Sequence, residues 1–391
     1  MPRVLRIINR FNLGGPTYNA AYLTKYLPGD FETLLVGGMK EDSEGSSMHI
    51  VDQLGLKPVI LNEMRREVNP LQDRLAFQKI KQLIHDFKPD IVHTHASKPG
   101  ALGRLAAAQM KVPVIVHTFH GHSFHSYFNP ITTSFYRGVE RFLASKSSCI
   151  VALSEGQKNE LVKVHKVCPE EKVRIIPLGF DLGRFTESME EKRMRFRTEY
   201  GLATDEIAVG IIGRLVPIKN HDLFLRSIAI LQHRTRRKIR AFVVGDGEER
   251  ARLEALCVEL GLAMTTGDNR CSVTFTSWIK DIDYVNAGID IVCLTSKNEG
   301  TPVSLIEAQA ANKPIVTTRV GGIENIVISG RTALLSETNN HVTLANNLLR
   351  LIEDDALREE FGADGWLYVH QKFHYQRLAD DMAQLYQELL N

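Results

Sequence analysis

The stretch Ser296–Gly322, SKNEGTPVSLIEAQAANKPIVTTRVGG, contains the pattern that decides the fold. A β-rich apolar run, Ile289–Leu294, ends just before this stretch, and another, Ile315–Thr318, lies near its end. Between the two runs we expect a helix that opens at Thr301 and Pro302, because threonine is a good N-cap and proline suits the first helical position. A strand, a helix and a second strand in this order predict a βαβ unit of a parallel sheet.

The same alternation of short β-rich runs and helical patterns extends over nearly the whole chain. In one helical stretch the apolar residues mostly follow the spacing of three or four that a buried stripe produces, at Leu71, Leu75, Ile80, Leu83, Ile84 and Phe87. Strands and helices that alternate in this way predict parallel, doubly wound sheets. The predicted strands are Val4–Ile8, Thr33–Val36, Pro58–Leu61, Asp90–Thr94, Val114–Thr118, Cys149–Leu153, Val173–Ile176, Ile207–Ile212, Ile239–Val244, Ser272–Phe275, Ile289–Leu294, Ile315–Thr318 and Ala333–Leu335.

The pattern pauses once, at the Gly/Pro-containing segment IPLGFDLGRFTES, which marks a domain boundary near Asp181. A chain of 391 residues suits two domains of roughly 180 residues each. We therefore expect two Rossmann-like α/β domains, 1–181 and 182–372, that face a cleft. A closing helix, Tyr375–Leu390, has no strand after it, and we expect residues 373–391 to return to the first domain. Ligands of such sheets bind beyond the carboxyl ends of the strands.

The composition is that of a soluble globular enzyme, with 43% hydrophobic and 24% charged residues. The net charge is only +2 and no Lys/Arg tract dominates, which argues against a nucleic-acid partner. The longest apolar runs are strand-sized, and the N-terminus MPRVLRIINRF passes directly into a strand without the apolar core of a leader peptide. Five scattered cysteines without CxxC spacing indicate reduced thiols. We therefore expect a cytoplasmic protein.

The helix in the opening stretch has the features of an anion site. The backbone N–H groups of Val303 and Ser304 in its first turn lack helical acceptors, so they are available to hold a diphosphate. Glu299 precedes the helix and Glu307 lies eight positions later, so the two carboxylates do not form an adjacent pair on one helical face. We interpret them as two hydrogen-bond acceptors spaced along an elongated ligand, with a sugar at one end and a ribose at the other.

This E-x7-E spacing, in EGTPVSLIE, resembles the donor-site motif of the family 4 retaining glycosyltransferases, which have the GT-B fold. The resemblance covers essentially the whole chain. FNLGGPTYNAAYL is similar to the glycine loop and first helix of that family, IIGRLVPIKNHDLFLRSI to its Arg/Lys donor-phosphate motif, and FVVGDGEERARLEAL to the glycine turn of its second domain. The resemblance implies a GT-B enzyme that takes its sugar from a nucleotide sugar.

The same resemblance implies a role for each matched residue. Glu299 would contact the sugar hydroxyls, Glu307 the ribose, and Arg214 and Lys219 the diphosphate. Fixed cations and helix N-termini stabilise the negative charge that develops on a leaving diphosphate, so these residue types suit the chemistry. The alternatives are an exposed loop with a solvated helical glutamate, and ordinary surface cations. The residues expected to bind the donor at the helix opening are Gly300, Thr301, Pro302, Val303 and Ser304.

Glycines after two strands are weaker signals. Gly14 and Gly15 follow the first strand and would let the backbone approach a ligand closely. They do not form a dinucleotide fingerprint, because NLGGPTYNA lacks GxGxxG and no acidic residue marks the end of the second strand. For Gly245–Gly247, turn chemistry is as good an explanation as ligand contact.

A cluster of histidines follows two strands of the first domain. DIVHTH and VIVHTFH bring His95 and His120 to the carboxyl edge of the sheet. Zinc binding is the alternative, but no HExxH motif or nearby acidic cluster completes a ligand set. TFHGHSFH resembles the family loop in which a histidine lies under the donor sugar near the reacting bond, and only His120 matches that position. We expect no metal; the histidines without a catalytic assignment are His93, His95, His117, His122 and His125.

Retention of configuration normally requires two close carboxylates in hydrolases, one of them a covalent nucleophile. The chain offers no such pair, and the family resemblance implies instead a front-face route in which the leaving phosphate helps to deprotonate the acceptor hydroxyl. No side chain would then act as the base. Substitution of His120 should weaken transfer without abolishing it.

The acceptor is expected on the first domain. Lys98 lies just before a helix N-terminus at Pro99, an arrangement that would suit an anionic group such as a lipid diphosphate. The segment YFNPITTSFYRGVERFLASK mixes aromatic and basic residues, so it either contacts an anionic membrane surface or packs its aromatic side into the core. Family members with similar HTFHGH loops often act in surface-glycan assembly.

Transfer from a nucleotide sugar, with UDP favoured by the family, to a sugar or lipid-linked hydroxyl is therefore the predicted function. No cofactor is expected beyond that co-substrate. The alternatives are nucleotide-sugar hydrolysis or 2-epimerisation on the same fold, a non-catalytic nucleotide-sugar-binding module, and a zinc hydrolase. Domain closure on donor binding is expected about a hinge near Gly179–Arg184.

Overall fold

A computed structural model describes residues 1–11, 15–39, 48–65, 67–120, 130–264 and 271–391 of the chain, and the side chains of residues 130–132 and 271 are not described. The chain forms two compact units. The first comprises Met1–Phe180 together with Lys372–Asn391, and the second comprises Asp181–Gln371. The division between Phe180 and Asp181 falls in the segment IPLGFDLGRFTES, where the sequence pattern pauses.

Thirteen strands follow one another along the described chain, seven in the first unit and six in the second. They are β1 Arg3–Arg10, β2 Glu32–Gly38, β3 Val59–Ile60, β4 Ile91–His95, β5 Val114–Thr118, β6 Cys149–Ala152, β7 Val173–Ile175, β8 Ile207–Ile212, β9 Ile239–Val244, β10 Cys271–Ser277, β11 Ile291–Leu294, β12 Ile315–Thr318 and β13 Ala333–Ser336. Each overlaps one predicted strand.

Helices separate most of these strands. They are α1 Gly15–Tyr26, α2 Met48–Gln53, α3 Pro70–Phe87, α4 Ser97–Gln109, α5 Pro130–Lys146, α6 Glu155–Asn159, α7 Met189–Glu199, α8 His221–Leu231, α9 Arg250–Glu259, α10 Ile282–Gly288, α11 Val303–Ala310, α12 His341–Glu353, α13 Asp355–Ala363, α14 Gly365–Phe373 and α15 Tyr375–Leu390. None of the helices in the described residues combines the length and apolar character needed to cross a membrane.

Both sheets are parallel and have the Rossmann strand order. The first runs β3-β2-β1-β4-β5-β6-β7 and the second β10-β9-β8-β11-β12-β13. In each sheet the order reverses beside the first strand of the unit, which creates a topological switch point between β1 and β4 and between β8 and β11. The prediction of two Rossmann-like units with parallel sheets is confirmed.

Strands of the second unit are buried on both faces, as helices on either side of a parallel sheet require. All residues of β8 and of β9 are buried. Residues of β8, β9 and β11 share a core cluster with apolar residues of α8, α9 and α12. This continuous burial explains why the strands appear in the sequence as uninterrupted apolar runs.

The closing helix α15 packs on the first unit. Its buried residues Leu378, Met382 and Tyr386 share a core cluster with Val4 of β1 and Val116 of β5. Burial of such side chains contributes about 1.5–3 kcal/mol each, so α15 is an integral part of this core.

The predicted buried stripe of α3 is wrong at its N-terminal end. Leu71 and Leu75 are exposed, whereas Ala76, Ile80 and Ile84 are buried. At about 100° per residue, Leu71 and Leu75 lie roughly 100° or more away from the stripe that the three buried residues form. The helix therefore buries a narrower face than the leucine spacing indicated.

Candidate active site

The loops after β8 and β11 flank the switch point of the second sheet, where parallel α/β sheets bind ligands. The two strands pair directly, with Val209 opposite Ile291 and Ile211 opposite Cys293. The loop after β8 carries Arg214 and Lys219, and the loop after β11 carries Glu299. The fold therefore places on two neighbouring loops the three charged residues that the sequence assigned to the donor diphosphate and sugar.

Hydrogen bonds hold the two loops together. The backbone N–H of Lys297 donates to the carbonyl of Ile218 at 2.8 Å. The hydroxyl of Thr295 donates to the carbonyls of Lys219 at 3.1 Å and of Asn220 at 2.9 Å. The position of Lys219 relative to the second loop is thus fixed by backbone contacts as well as by its own side chain.

Glu299 links the loops through its side chain. Its Oε1 atom accepts a hydrogen bond from the ammonium of Lys219 and another, at 2.6 Å, from the hydroxyl of Ser296. Both charged side chains are mostly buried, which strengthens their interaction relative to a surface pair. The sequence did not predict this pairing. It assigned Lys219 to the diphosphate of the donor and Glu299 to the sugar hydroxyls.

Two glycines that follow β12 support this loop, and the sequence analysis missed their role. Gly321 has φ +49°, and a Cβ there would lie 2.1 Å from the carbonyl oxygen of Glu299. A Cβ on Gly322 would lie 1.8 Å from the carbonyl oxygen of Gly300. The N–H of Gly322 donates to the carbonyl of Glu299 at 2.8 Å. Two consecutive glycines after a strand were the available signal, because such close backbone contact excludes any side chain.

The helix opens later than the sequence indicated, which corrects the assignment of Thr301 as N-cap and of Pro302 as the first helical residue. Helix α11 begins at Val303, and Pro302 occupies the N-cap position with φ −72° and ψ 101°. An extended ψ cannot continue a helix, so Pro302 stays outside it. No side chain in the described part of the chain caps this end of the helix.

Two backbone donors are left available by this opening. Among the residues that the structure describes, no acceptor outside the helix is found for the N–H groups of Val303 and Ser304. Proline at the N-cap has no side-chain acceptor to offer them. The two N–H groups are therefore available to a ligand at the start of α11, which begins one residue later than predicted, and their role in binding an anion stays a prediction.

Arg214 is exposed, and its side chain makes no hydrogen bond or ion pair to the described residues. The backbone around it is packed against the turn Gly245–Gly247. A Cβ on Gly245 would lie 2.0 Å from the carbonyl oxygen of Gly213, and one on Gly247 would lie 2.4 Å from that of Leu215. The glycine turn therefore supports the loop that carries Arg214, and close packing of the backbone explains both glycines.

Glu307 lies within α11 and its side chain is only 15% exposed. Burial raises its pKa to about 7, although the guanidinium of Arg184, 3.6 Å from Oε1, lowers it. No hydrogen bond from a described residue reaches the Glu307 carboxylate, so its oxygens can accept from a ligand. The sequence gave no signal for Arg184 as a neighbour of Glu307.

In the first unit, His120 lies at the carboxyl edge of the sheet beside His95. The Nε2 atom of His120 and the Nδ1 atom of His95 are 2.9 Å apart. Burial lowers the pKa of His120 to about 3, so its imidazole is neutral at physiological pH. A neutral ring can donate or accept one hydrogen bond at each nitrogen but carries no charge for a phosphate.

The neighbouring histidines form a buried hydrogen-bonded group. Arg6 donates to the hydroxyl of Tyr386 at 3.2 Å, and this hydroxyl lies 2.5 Å from Nδ1 of His93. The Nε2 atom of His93 is 2.7 Å from the hydroxyl of Thr118. Both ring nitrogens of His93 therefore lie within hydrogen-bonding distance of a buried hydroxyl. This arrangement fits a structural role for His93.

Other predicted site residues have more limited support. Gly14, His122 and His125 lie outside the described residues. Among the described residues, a Cβ on Gly15 would meet Leu178 alone, at 3.8 Å, an ordinary van der Waals contact. The described part of the chain contains no group of three or more metal-ligating side chains.

Lys98 does not present a free ammonium, which corrects its proposed place beside an acceptor anion. Its Nζ atom pairs with Asp73 at 2.5 Å and donates to the carbonyls of Arg65 at 3.0 Å and Glu67 at 2.5 Å. These three acceptors satisfy the ammonium. The lysine also lies inside α4 rather than before it.

Helix α5 exposes aromatic side chains. Phe135 is 67% exposed and Phe142 is 53% exposed, whereas Leu143 is buried. Phe142 lies beside the ammonium of Lys146, 5.5 Å from the ring centroid. Of the two interpretations of this segment, packing of its aromatic side into the core is wrong for these two phenylalanines.

Two family models match the chain, one in each half. Residues 18–184 match "Glycosyltransferase Family 4", and residues 192–365 match "Glycosyl transferases group 1". The first match contains His120. The second contains Arg214, Lys219, Glu299 and Glu307.

The chain is similar to two curated glycosyltransferases over most of their length. One is a UDP-Gal:alpha-D-GlcNAc-diphosphoundecaprenol alpha-1,3-galactosyltransferase of Escherichia coli, 29% identical over 75% of this chain and 74% of that protein. The other is the capsular polysaccharide biosynthesis glycosyltransferase CapM of Staphylococcus aureus, 25% identical over 84% of each.

A solved structure, Anabaena Alr3699/HepE in complex with UDP, superposes on 99% of this chain and 100% of its own with a TM-score of 0.81. Its sequence identity of 21% makes this a likeness of fold alone. Together with the two parallel sheets and the two family models, this likeness confirms the prediction of a GT-B fold.

Proposed function

Because the chain belongs to the glycosyltransferases, with a family 4 domain followed by a group 1 domain, we propose that it is a retaining enzyme that transfers a sugar from a UDP-sugar to a hydroxyl of a sugar or lipid-linked acceptor. The relative from Escherichia coli is named for a UDP-sugar donor and a diphospholipid-linked acceptor, and the Anabaena structure holds UDP. These names support UDP and a lipid-linked acceptor for this chain. The CapM name supports a role in surface-glycan assembly.

The observation that carries the proposal is the meeting of Lys219 and Glu299 beside the open N-terminus of α11. A diphosphate at this opening would receive the N–H groups of Val303 and Ser304 and the charge of Lys219. Arg214, whose guanidinium is unengaged among the described residues, supplies a second cation. Such groups act most strongly where charge develops in the transition state, so they promote departure of UDP.

The reaction that follows from this arrangement needs no protein nucleophile. The bond between the anomeric carbon and the diphosphate oxygen breaks, and its electron pair leaves with UDP. The acceptor oxygen bonds to the anomeric carbon on the same face, and its proton passes to the departing phosphate. Glu299 already accepts hydrogen bonds from Lys219 and Ser296. This arrangement suits a carboxylate that accepts hydrogen bonds from the sugar hydroxyls better than one that acts as a covalent nucleophile. A sugar adduct on Glu299 would contradict this route.

His120 is proposed to lie under the donor sugar near the reacting bond. Its neutral imidazole suits a hydrogen-bonding role and excludes electrostatic stabilisation of the phosphate by the ring at physiological pH. No cofactor or metal is proposed, since the two cations and the helix N-terminus supply the charge that a metal would otherwise provide. Full activity in the presence of EDTA is the expected result.

The exposed side chains of α5 support the proposal that the protein contacts an anionic membrane surface. We place this contact at the inner side of the cell membrane. Phe135 and Phe142 are exposed, and Arg141 and Lys146 are the exposed cations between and beyond them. Glu140, the one acidic residue of the helix, is buried and paired with Arg104 at 2.7 Å. The exposed charges of α5 are therefore all positive, which favours anionic lipid.

This membrane contact is tested with vesicles that contain phosphatidylglycerol. The wild type should cosediment with them at low salt and be released at high salt, because each surface cation contributes about 1 kcal/mol that salt screens. The variant F135S/F142S should lose most of this binding. M194S, which changes an equally exposed apolar residue of the second unit, is the control. Salt-independent or absent sedimentation would contradict the proposal.

The catalytic proposal is tested by UDP release from a panel of UDP-sugars with and without lipid-linked and free sugar acceptors. We expect UDP release to depend on the acceptor. The product of an α-linked donor should carry an α-glycosidic linkage, as retention of configuration requires. Equal release without acceptor would favour the alternative, a nucleotide-sugar hydrolase or epimerase of the same fold. Binding without any turnover would favour a non-catalytic module.

A further inference from the structure

Arg184 lies near the start of the second unit, in a short 3-10 turn at Gly183–Phe185. Lys192 holds this turn in place. Its ammonium donates to the carbonyl of Arg184 at 2.8 Å and forms an ion pair with Asp283 of α10 at 2.9 Å. The backbone of Arg184 is thus tied to the helix next to α11.

The side chain of Arg184 reaches the candidate ribose carboxylate. Its Nη2 atom lies 3.6 Å from Oε1 of Glu307, and its guanidinium lies over the ring of Phe185 at 4.9 Å from the centroid. Phe185 is buried, so the ring on which the guanidinium lies has a fixed position. The separation is longer than a hydrogen bond, so the charge of Arg184 acts on Glu307 while both carboxylate oxygens remain free to accept from a ligand.

We propose that Arg184 is a positioning residue for the donor: its charge favours the ionised form of the buried Glu307 carboxylate, the form that accepts hydrogen bonds from the ribose hydroxyls, and Arg184 does not contact the donor itself. The inference rests on the proposed function, since it takes Glu307 as the ribose acceptor. An ionised carboxylate accepts stronger hydrogen bonds than a protonated one. The charge of Arg184 therefore raises the affinity of the protein for the nucleotide-sugar donor.

The charges around Glu307 set the direction of the effect. Burial and Asp283 both raise its pKa, and Arg184 lowers it, with a resulting value of about 7. Asp283 is paired with Lys192, so Arg184 is the cation that acts on Glu307 among the residues the structure describes. Without Arg184 the pKa of Glu307 would move further up, and a larger fraction would be protonated at pH 7. Higher pH would restore the ionised form.

The test compares UDP affinity of the full-length wild type and R184Q by calorimetry between pH 6 and pH 9. R184Q should bind UDP roughly threefold to fivefold more weakly near pH 7, because the arginine is 39% exposed and its charge is partly screened. The difference should shrink to less than about twofold at pH 9, where Glu307 is ionised in both proteins. The donor KM should rise in parallel while kcat at saturating donor stays unchanged.

Two further variants isolate the charge. R184K retains a cation and should restore most of the affinity at pH 7. R237Q removes a similarly exposed arginine that pairs with Asp355 in the same unit, and it should leave the pH profile unchanged. An affinity loss of equal size at every pH, or no loss at all, would overturn the inference.

E307Q separates this inference from the proposed function. If Glu307 is the ribose acceptor, E307Q weakens UDP binding and R184Q adds nothing further in the double variant. If E307Q binds UDP as well as the wild type, the ribose assignment itself fails. If E307Q weakens binding and R184Q has no pH-dependent effect, only the role of Arg184 fails.

Discussion

A single carboxylate oxygen of Glu299 holds two partners in the absence of a donor, Lys219 and Ser296. A diphosphate that binds at the opening of α11 offers Lys219 a more highly charged partner. We expect Lys219 to exchange Glu299 for phosphate, which frees the Glu299 carboxylate to accept from a sugar hydroxyl. Donor binding and preparation of the sugar pocket would then be one event.

Substitution of His120 should slow transfer without abolishing it. H120N removes a ring hydrogen bond near the reacting bond, and a loss of about 10–100-fold in kcat is expected. Because the pKa of His120 is about 3, its titration should leave no step in the kcat profile between pH 5 and pH 9. H85N, at an exposed histidine of the same unit, is the matched control for UDP-release kinetics.

A complete loss of activity in H120N, with UDP affinity intact, would indicate that His120 is an essential acid or base. A step in the kcat profile of the wild type near pH 6.5 that disappears in H120N would have the same meaning. Either result would contradict a neutral histidine with a supporting role.

At the scale of the element, the loop that carries Glu299 depends on the glycine pair after β12. G322A should distort this loop, because its Cβ would lie 1.8 Å from the carbonyl oxygen of Gly300, a separation that backbone must relieve by moving. A displacement of about 1 Å at a positioning residue lowers turnover by roughly 100-fold. G29A, where a Cβ meets nothing within 4 Å, is the control. Normal kcat/KM in G322A would show that the loop position is not critical.

The strands were predictable from the sequence because parallel strands covered on both faces appear as continuous apolar runs, as in Ile207–Ile212. The closing helix was predicted with the bounds that the structure gives, Tyr375–Leu390. The opening of α11 was not, because both threonine and proline suit a helix start and only the ψ of Pro302 decides between them.

Contacts between distant segments could not be predicted. The hydrogen bond between Lys219 and Glu299 joins residues 80 positions apart, and its formation depends on the pairing of β8 with β11. The ion pair of Arg184 with Glu307 depends in the same way on how a turn packs beside α10 and α11. Spacing along one element predicted which residue types form the candidate site. It did not predict which distant residues pair with them.

Helix α15 stabilises the first unit through Tyr386. Y386F removes the acceptor of Arg6 and the hydroxyl partner of His93, both buried, so the free energy of unfolding should fall by about 1–3 kcal/mol. Y375F on the same helix retains the ring that stacks on Tyr26 and should change stability by less than about 0.5 kcal/mol. Urea unfolding measures both. Equal stability of Y386F and the wild type would show that the buried polar group contributes nothing.

At the scale of the whole molecule, the candidate site residues are distributed over two units of the same architecture. The second unit carries the candidate donor residues, and the first carries His120 and the exposed face of α5. Both units place their candidate residues after the carboxyl ends of parallel strands, where the fold leaves backbone and side chains available for ligands. The expected hinge near Gly179–Arg184 stays a prediction.

The most direct test measures acceptor-dependent UDP release by the double variant R214M/K219M beside the wild type, with K238M as control for an exposed lysine in the same unit. If two cations and the N-terminus of α11 bind the diphosphate, kcat/KM should fall by at least about 1,000-fold in the double variant. The reason is that removal of each charge lowers the rate by roughly 10²–10³-fold. K238M should retain wild-type kinetics. Unchanged turnover in R214M/K219M would contradict the account.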